Sequence, residues 1–117
     1  MNQALKDFLA ARLPLPGLAA WSARMPDRTF AQQCYVNWFT PARAEEVLTR
    51  LTLAAEGFRH QNLDPVRLCW KFENLNLHLA LRPDGACLGL LLENLPETPA
   101  VSVNGVLEEF LRLGSSE

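Results

Sequence analysis

The sequence lacks an excess of basic charge, a membrane-length apolar run, a paired set of cysteines and every common catalytic signature. Each absence removes a class of function. With a formal net charge of −2 and no stretch dominated by Lys and Arg, the chain carries no electrostatic footprint for nucleic acid or anionic lipid, so neither is an expected partner. Residues Met1 to Leu13 hold charges at Lys6, Asp7 and Arg12 and no apolar run ending in a small-residue cleavage site, so no export signal is expected. No segment reaches the length of a membrane span. Cys34, Cys69 and Cys87 are odd in number and widely spaced, which fits neither a disulfide framework nor a CxxC metal site. They read as reduced core residues, and hence point to the cytoplasm.

Catalytic chemistry is equally thin. His60 and His78 are the only histidines, and neither lies in a motif that supplies a nucleophile with its orienting acid. There is no phosphate-binding glycine loop, no HExxH and no EF-hand spacing. A metal site built from Cys34, Cys69, His60 and His78 would need assembly in three dimensions, and two core thiols with two surface imidazoles is the plainer reading. The adjacent pairs Glu45-Glu46 and Glu108-Glu109 point in different directions on a helix and read as solvated faces. The expectation is a protein that is not an enzyme, with no catalytic residue, cofactor or metal.

What remains is the pattern of an independently folding domain. The chain has 117 residues, 49% of them hydrophobic, and a chain of that size hides about two thirds of its surface in one core. A single domain over 1–117 is expected, without repeats or linkers. Leu5, Phe8 and Leu9 mark an opening helix that Pro14 and Pro16 stop. Leu18 to Arg24 and Thr29 to Phe39 form a hairpin about Met25-Pro26-Asp27-Arg28, with Phe30, Cys34, Val36 and Trp38 on one face. Thr40-Pro41 is a helix start, the hydroxyl capping free N–H groups and Pro tolerated at the first position. This helix is expected to reach Gln61 with Val47, Leu51, Ala54 and Phe58 as its inner stripe.

Strands Val66 to Glu73 and Leu75 to Leu81 alternate around a turn near Asn74. Arg82-Pro83-Asp84-Gly85 is a turn, and Ala86 to Glu93 is apolar without alternation, the mark of a strand covered on both faces. Val103, Val106, Leu107, Phe110 and Leu113 define a closing helix that Gly114 is placed to stop. The fold class is α/β of the α+β kind, in the order α-β-β-α-β-β-β-α, with helices on both faces of a five-stranded antiparallel sheet.

This order, the run His78-Leu79-Ala80-Leu81-Arg82-Pro83-Asp84-Gly85 leading into Leu88-Gly89-Leu90-Leu91-Leu92-Glu93-Asn94, and the entry Leu15-Pro16-Gly17-Leu18-Ala19 resemble the roadblock/dynein light chain family. The resemblance implies strand order 2-1-5-4-3, with the middle helix on one face and the terminal helices on the other. It also implies a homodimer or heterodimer that scaffolds or regulates Ras-like small GTPases, motor complexes or signalling assemblies without binding nucleotide. PAS-like and longin-like domains present similar strings, so a small-ligand sensor is the alternative.

Helical geometry at 100° per residue puts Leu53 opposite the inner stripe, on an arc with Glu46, Thr49, Gly57 and His60. A helical Gly costs about 1 kcal/mol against Ala, and beside a stranded Leu it suggests a close helix crossing. The expected dimer interface is Leu53, Gly57, Thr49 and His60 on the helix with Arg67 and Trp70 on the edge strand. Glu46, Arg50 and Arg59 are the expected partner-binding residues.

Overall fold

The computed structural model describes residues 2–13, 17–63, 66–73, 75–93 and 100–115. Its elements are α1 (Asn2–Arg12), β1 (Leu18–Arg24), β2 (Phe30–Cys34), α2 (Pro41–Arg59), β3 (Arg67–Lys71), β4 (Leu75–Leu81), β5 (Cys87–Glu93) and α3 (Ala100–Ser115). The strands form one antiparallel sheet in the order β2-β1-β5-β4-β3, as the resemblance implied. The central place of β5 follows from its sequence. Leu88, Leu90 and Leu92 enter one core with Trp21, Ala23 and Ala80 under α1 and α3, while Cys87 and Leu91 lie against α2 on the other face. A strand with leucine on both sides is stable only where both are covered, each buried leucine contributing about 1.5–3 kcal/mol.

Gly89 sets the distance of α2. A Cβ there would lie 3.2 Å from Leu48 Cδ1 and 3.7 Å from the Ser22 carbonyl oxygen, so the missing side chain is the space into which Leu48 packs. The inner side of α2 is therefore Ala44, Leu48, Thr52 and Ala55, with Val47 and Leu51 half-buried. This corrects the expected stripe: Ala54 and Phe58 are exposed. Placing Phe58 inward would rotate Leu48 out of the gap above Gly89. Thr52 tolerates burial because its hydroxyl donates to the Thr49 carbonyl at 2.9 Å.

Other boundaries also differ. β2 ends at Cys34, well short of Phe39, because the chain must leave the sheet to enter α2. Its last ladder bond is Tyr35 N–H to Ala19 O at 2.8 Å. Trp38 is consequently exposed, and Phe39, edge-on to it with centroids 6.0 Å apart, fills the core beneath α2. α2 closes at Arg59 and not Gln61, with Asn62 at φ +64° in the turn beyond. α3 passes through Gly114 to Ser115. Of the three cysteines only Cys87 is buried; Cys34 is half-buried and Cys69, expected in the core, is exposed. The proline stops Pro14 and Pro16, the turn residue Asn74, and Asn94 lie outside the described residues.

The Arg82-Pro83-Asp84-Gly85 turn fastens the sheet to α3. Gly85 sits at φ +95° and donates its N–H to the Arg82 carbonyl at 3.1 Å. Arg82 is only 2% exposed, which an unpaired cation would not tolerate. Its guanidinium pairs with Asp84 and lies 5.2 Å above the Phe110 ring. Burial would raise the Asp84 carboxyl. The Ala86 N–H and the Arg82 guanidinium outweigh it and hold the group below the ordinary carboxylate range.

Two tests follow from this packing. In urea unfolding, Leu79→Ala should cost about 2–5 kcal/mol by leaving a cavity, whereas Gly105→Ala, on an exposed helix position with open space for a Cβ, should stabilise by about 0.5–1 kcal/mol. Asp84 has its folded pKa depressed, so the stability it contributes is complete above its unfolded pKa of about 4 and is lost as pH falls through the lower folded value. The stability gap between the wild type and Asp84→Asn should accordingly narrow on acidification below about pH 4.

Candidate protein-interaction surface

A sheet with five strands has two edges, and here they are β2 and β3. In β3, Val66 accepts from the Leu81 N–H and Phe72 donates to the Leu75 carbonyl, both at 2.8 Å. Backbone groups alternate sides along an antiparallel strand, so Val66, Leu68, Trp70 and Phe72 face β4. Arg67, Cys69 and Lys71 therefore turn their N–H and C=O groups to the open edge. Such a row of unpaired groups invites a further strand.

α2 crosses the sheet closest to β1 and β2 and turns Leu51 toward Leu68 and Trp70 of β3. Thr40 caps it, its hydroxyl accepting from the Arg43 N–H at 3.2 Å, and Pro41 occupies the first turn. Glu46, Thr49, Arg50, Leu53, Gly57 and His60 lie on the ridge pointing away from the sheet, all exposed. Glu46 and Arg50 form an i,i+4 ion pair at 3.0 Å, and Thr49 donates its hydroxyl to the Glu45 carbonyl at 2.9 Å. A Cβ on Gly57 would meet nothing within 4 Å. Arg59 ends the helix, and its side chain lies outside the described residues.

Large apolar side chains gather here without cover. Leu53, Phe58, Leu63, Val66 and Phe72 are between 45% and 61% exposed and lie on α2, in the turn after it or at either end of β3, while Trp38, 51% exposed, precedes α2. In the sequence Phe58 reads as core, and Val66 and Phe72 as ordinary strand alternation, so the pattern alone does not reveal this patch. The available signal is arithmetic: α2 carries more apolar positions than the stripe facing one sheet can hold. Exposed patches of this kind mark interaction sites.

The edge-strand residues differ in their freedom. Trp70 is half-buried and packs with Leu51, Leu68 and Leu77 against the α2 face. Arg67 reaches to the opposite face, where it holds Glu108 at 3.1 Å and Asn104 at 2.8 Å on α3. Cys69 Sγ stands 4.0 Å from His78 Nε2. Burial lowers the His78 pKa, with Arg67 and Lys71 adding to it. Cys34 lies on the far edge strand and the other sheet face, and His60 follows α2, so the four residues considered for a metal site are not brought together. Among the described residues no group of three metal-ligating side chains occurs, and no helix is long and apolar enough to cross a membrane.

The strand order and the placement of helices are those of the roadblock/LC7 fold. A roadblock/LC7 domain from Streptomyces avermitilis superposes with a TM-score of 0.63 at 14% identity, over 94% of this chain and 91% of that one. The gliding protein MglB from Thermus thermophilus gives 0.64 at 12% identity, over 99% and 89%. MglB of Myxococcus xanthus gives 0.62 at 8% identity, over 85% and 78%. No protein-family model and no curated protein matches the sequence.

The helix cap and the ridge charges should separate cleanly by mutation. Thr40→Ala is expected to cost about 1 kcal/mol, while Arg50→Ala, which removes an exposed ion pair, should change stability by less than about 0.5 kcal/mol in the same denaturation assay.

Proposed function

We propose that this chain is a non-catalytic scaffold or regulator that works as a homodimer and binds a Ras-like small GTPase or a comparable signalling partner. The observation that carries the reading is the coincidence of an open, hydrogen-bonding strand edge with the five exposed apolar side chains on α2, in its following turn and at either end of β3. Two copies related by a two-fold axis would extend the sheet through β3 and bring both α2 helices together. Leu53, Gly57, Thr49 and His60 would lie at that contact, with Trp70 and Arg67 below it. Phe58, on the flank of α2 toward β3, joins them.

The roadblock/LC7 resemblance supports self-pairing and a GTPase partner, and one similar structure is described as MglB with a tetrameric arrangement. A dimer would present two copies of the α2 ridge as one platform, with Glu46, Arg50 and Arg59 as its charged contacts. The domain acts in the cytoplasm and needs no cofactor, nucleic acid or membrane.

Light scattering on purified protein at micromolar concentration is expected to give the dimer mass, and Leu53→Glu with Phe72→Asp to give the monomer. Titration against purified Ras-like GTPases of the same host should then show binding by the wild type, a weakened complex for Arg50→Glu at unchanged dimer mass, and none for the monomeric variant. A wild-type monomer, or a monomeric variant that binds as well as the wild type, would overturn the proposal.

A further inference from the structure

A second feature lies on the opposite face of the sheet, far from β3. α1 leans toward α3, to which the Arg12 guanidinium ties it by an ion pair with Glu109 at 3.1 Å. This leaves the outer part of β2 without a helix over it. Ala10 on α1 and Ala31 on β2 are too small to close the gap. The result is a half-open cleft of about 430 Å³ between α1 and the β1–β2 hairpin, within the size range of small-molecule sites.

Leu9, Leu13, Trp21, Met25 and Ala31 make its apolar lining. The polar groups that line it are Lys6, Gln33 and Tyr35. The Trp21 indole N–H donates to the Tyr35 hydroxyl oxygen at 3.1 Å. That oxygen is thereby an acceptor, and the hydroxyl retains its own proton to donate. Of the neighbouring charges, Asp7 accepts from Gln3 at 2.8 Å and Glu109 is held by Arg12. Lys6 is thus the cation of the cleft, and among the described residues no carboxylate lines it.

We propose that this cleft is a binding site for a small amphipathic carboxylate, a linear acid whose chain lies on Trp21, Leu9 and Met25 and whose head accepts from the Lys6 ammonium and the Tyr35 hydroxyl. An apolar chain accounts for the lining and a single anionic head for the two donors; a neutral ligand would leave the ammonium unused, and a cation would be repelled. Because the cleft is formed by α1, β1 and β2, the site is complete in one copy of the chain and does not depend on the dimer reading.

Octanoate, with 1-octanol as the uncharged comparator, is the probe, followed by the indole N–H signals of Trp21, Trp38 and Trp70 in a nitrogen-15 correlation spectrum. The Trp21 signal should shift saturably with octanoate while those of Trp38 and Trp70 stay in place. Lys6→Glu should weaken octanoate at least tenfold with octanol unchanged, and Ala10→Phe, on the exposed rim of α1 and compatible with folding, should weaken both. Absence of a saturable Trp21 shift, equal affinity for octanoate in the wild type and Lys6→Glu, or a shift untouched by Ala10→Phe would each overturn the proposal.

Discussion

The structure depends on the need to cover β5 from both sides. A strand reading Cys87-Leu88-Gly89-Leu90-Leu91-Leu92 has no face to give to water, so it takes the centre of the sheet and requires a helix layer above and below. Two different solutions meet it. On one side α1 and α3 share the work, and Leu88, Leu90 and Phe110 become a single core. On the other α2 alone is brought close by the absence of a side chain at Gly89. Both solutions consume the apolar surface of the inner strands and leave the outer ones, β2 and β3, only partly covered.

Both proposed sites lie in that remainder of uncovered surface. Where α2 fails to reach over β3, exposed aromatic and aliphatic side chains stand next to unpaired backbone groups, a combination suited to strand addition and helix contact. Where α1 is drawn to α3, the cover fails over β2, and the gap is a cleft with a cation and a hydroxyl at its wall. The two places lie at opposite edges and on opposite faces of the sheet. A ligand at one and a protein at the other would not compete for space.

Local chemistry is readable in the sequence and long-range commitments are not. The Thr40-Pro41 cap, the Pro83-Asp84-Gly85 turn and the two-sided burial of β5 are each decided by a few neighbouring residues, and each stands where its pattern puts it. The inner face of α2 is misread because Phe58 extends an apolar stripe in sequence, while the choice of face is made by Gly89, far along the chain. Arg82 reads only as part of a turn, and its burial over Phe110 appears once α3 is in place; Arg67 reads as a dimer contact, and its bonds to Asn104 and Glu108 depend on where α3 packs. The strand order 2-1-5-4-3 is available only by resemblance. Of the exposed patch only Leu53 and the surplus of apolar positions on α2 can be read, and the α1 cleft cannot, since both arise from how far a helix reaches across a sheet.

The central claim is that β3 is an edge built for another copy of itself. Hydrogen exchange at single residues tests it directly, because the N–H groups of Arg67, Cys69 and Lys71 face the open edge while those of Leu68 and Trp70 are bonded to β4. Self-pairing predicts that the first three gain protection as protein concentration rises, in step with one another, while β5 stays fully protected throughout. Exchange at Arg67, Cys69 and Lys71 that remains fast and independent of concentration would contradict the account.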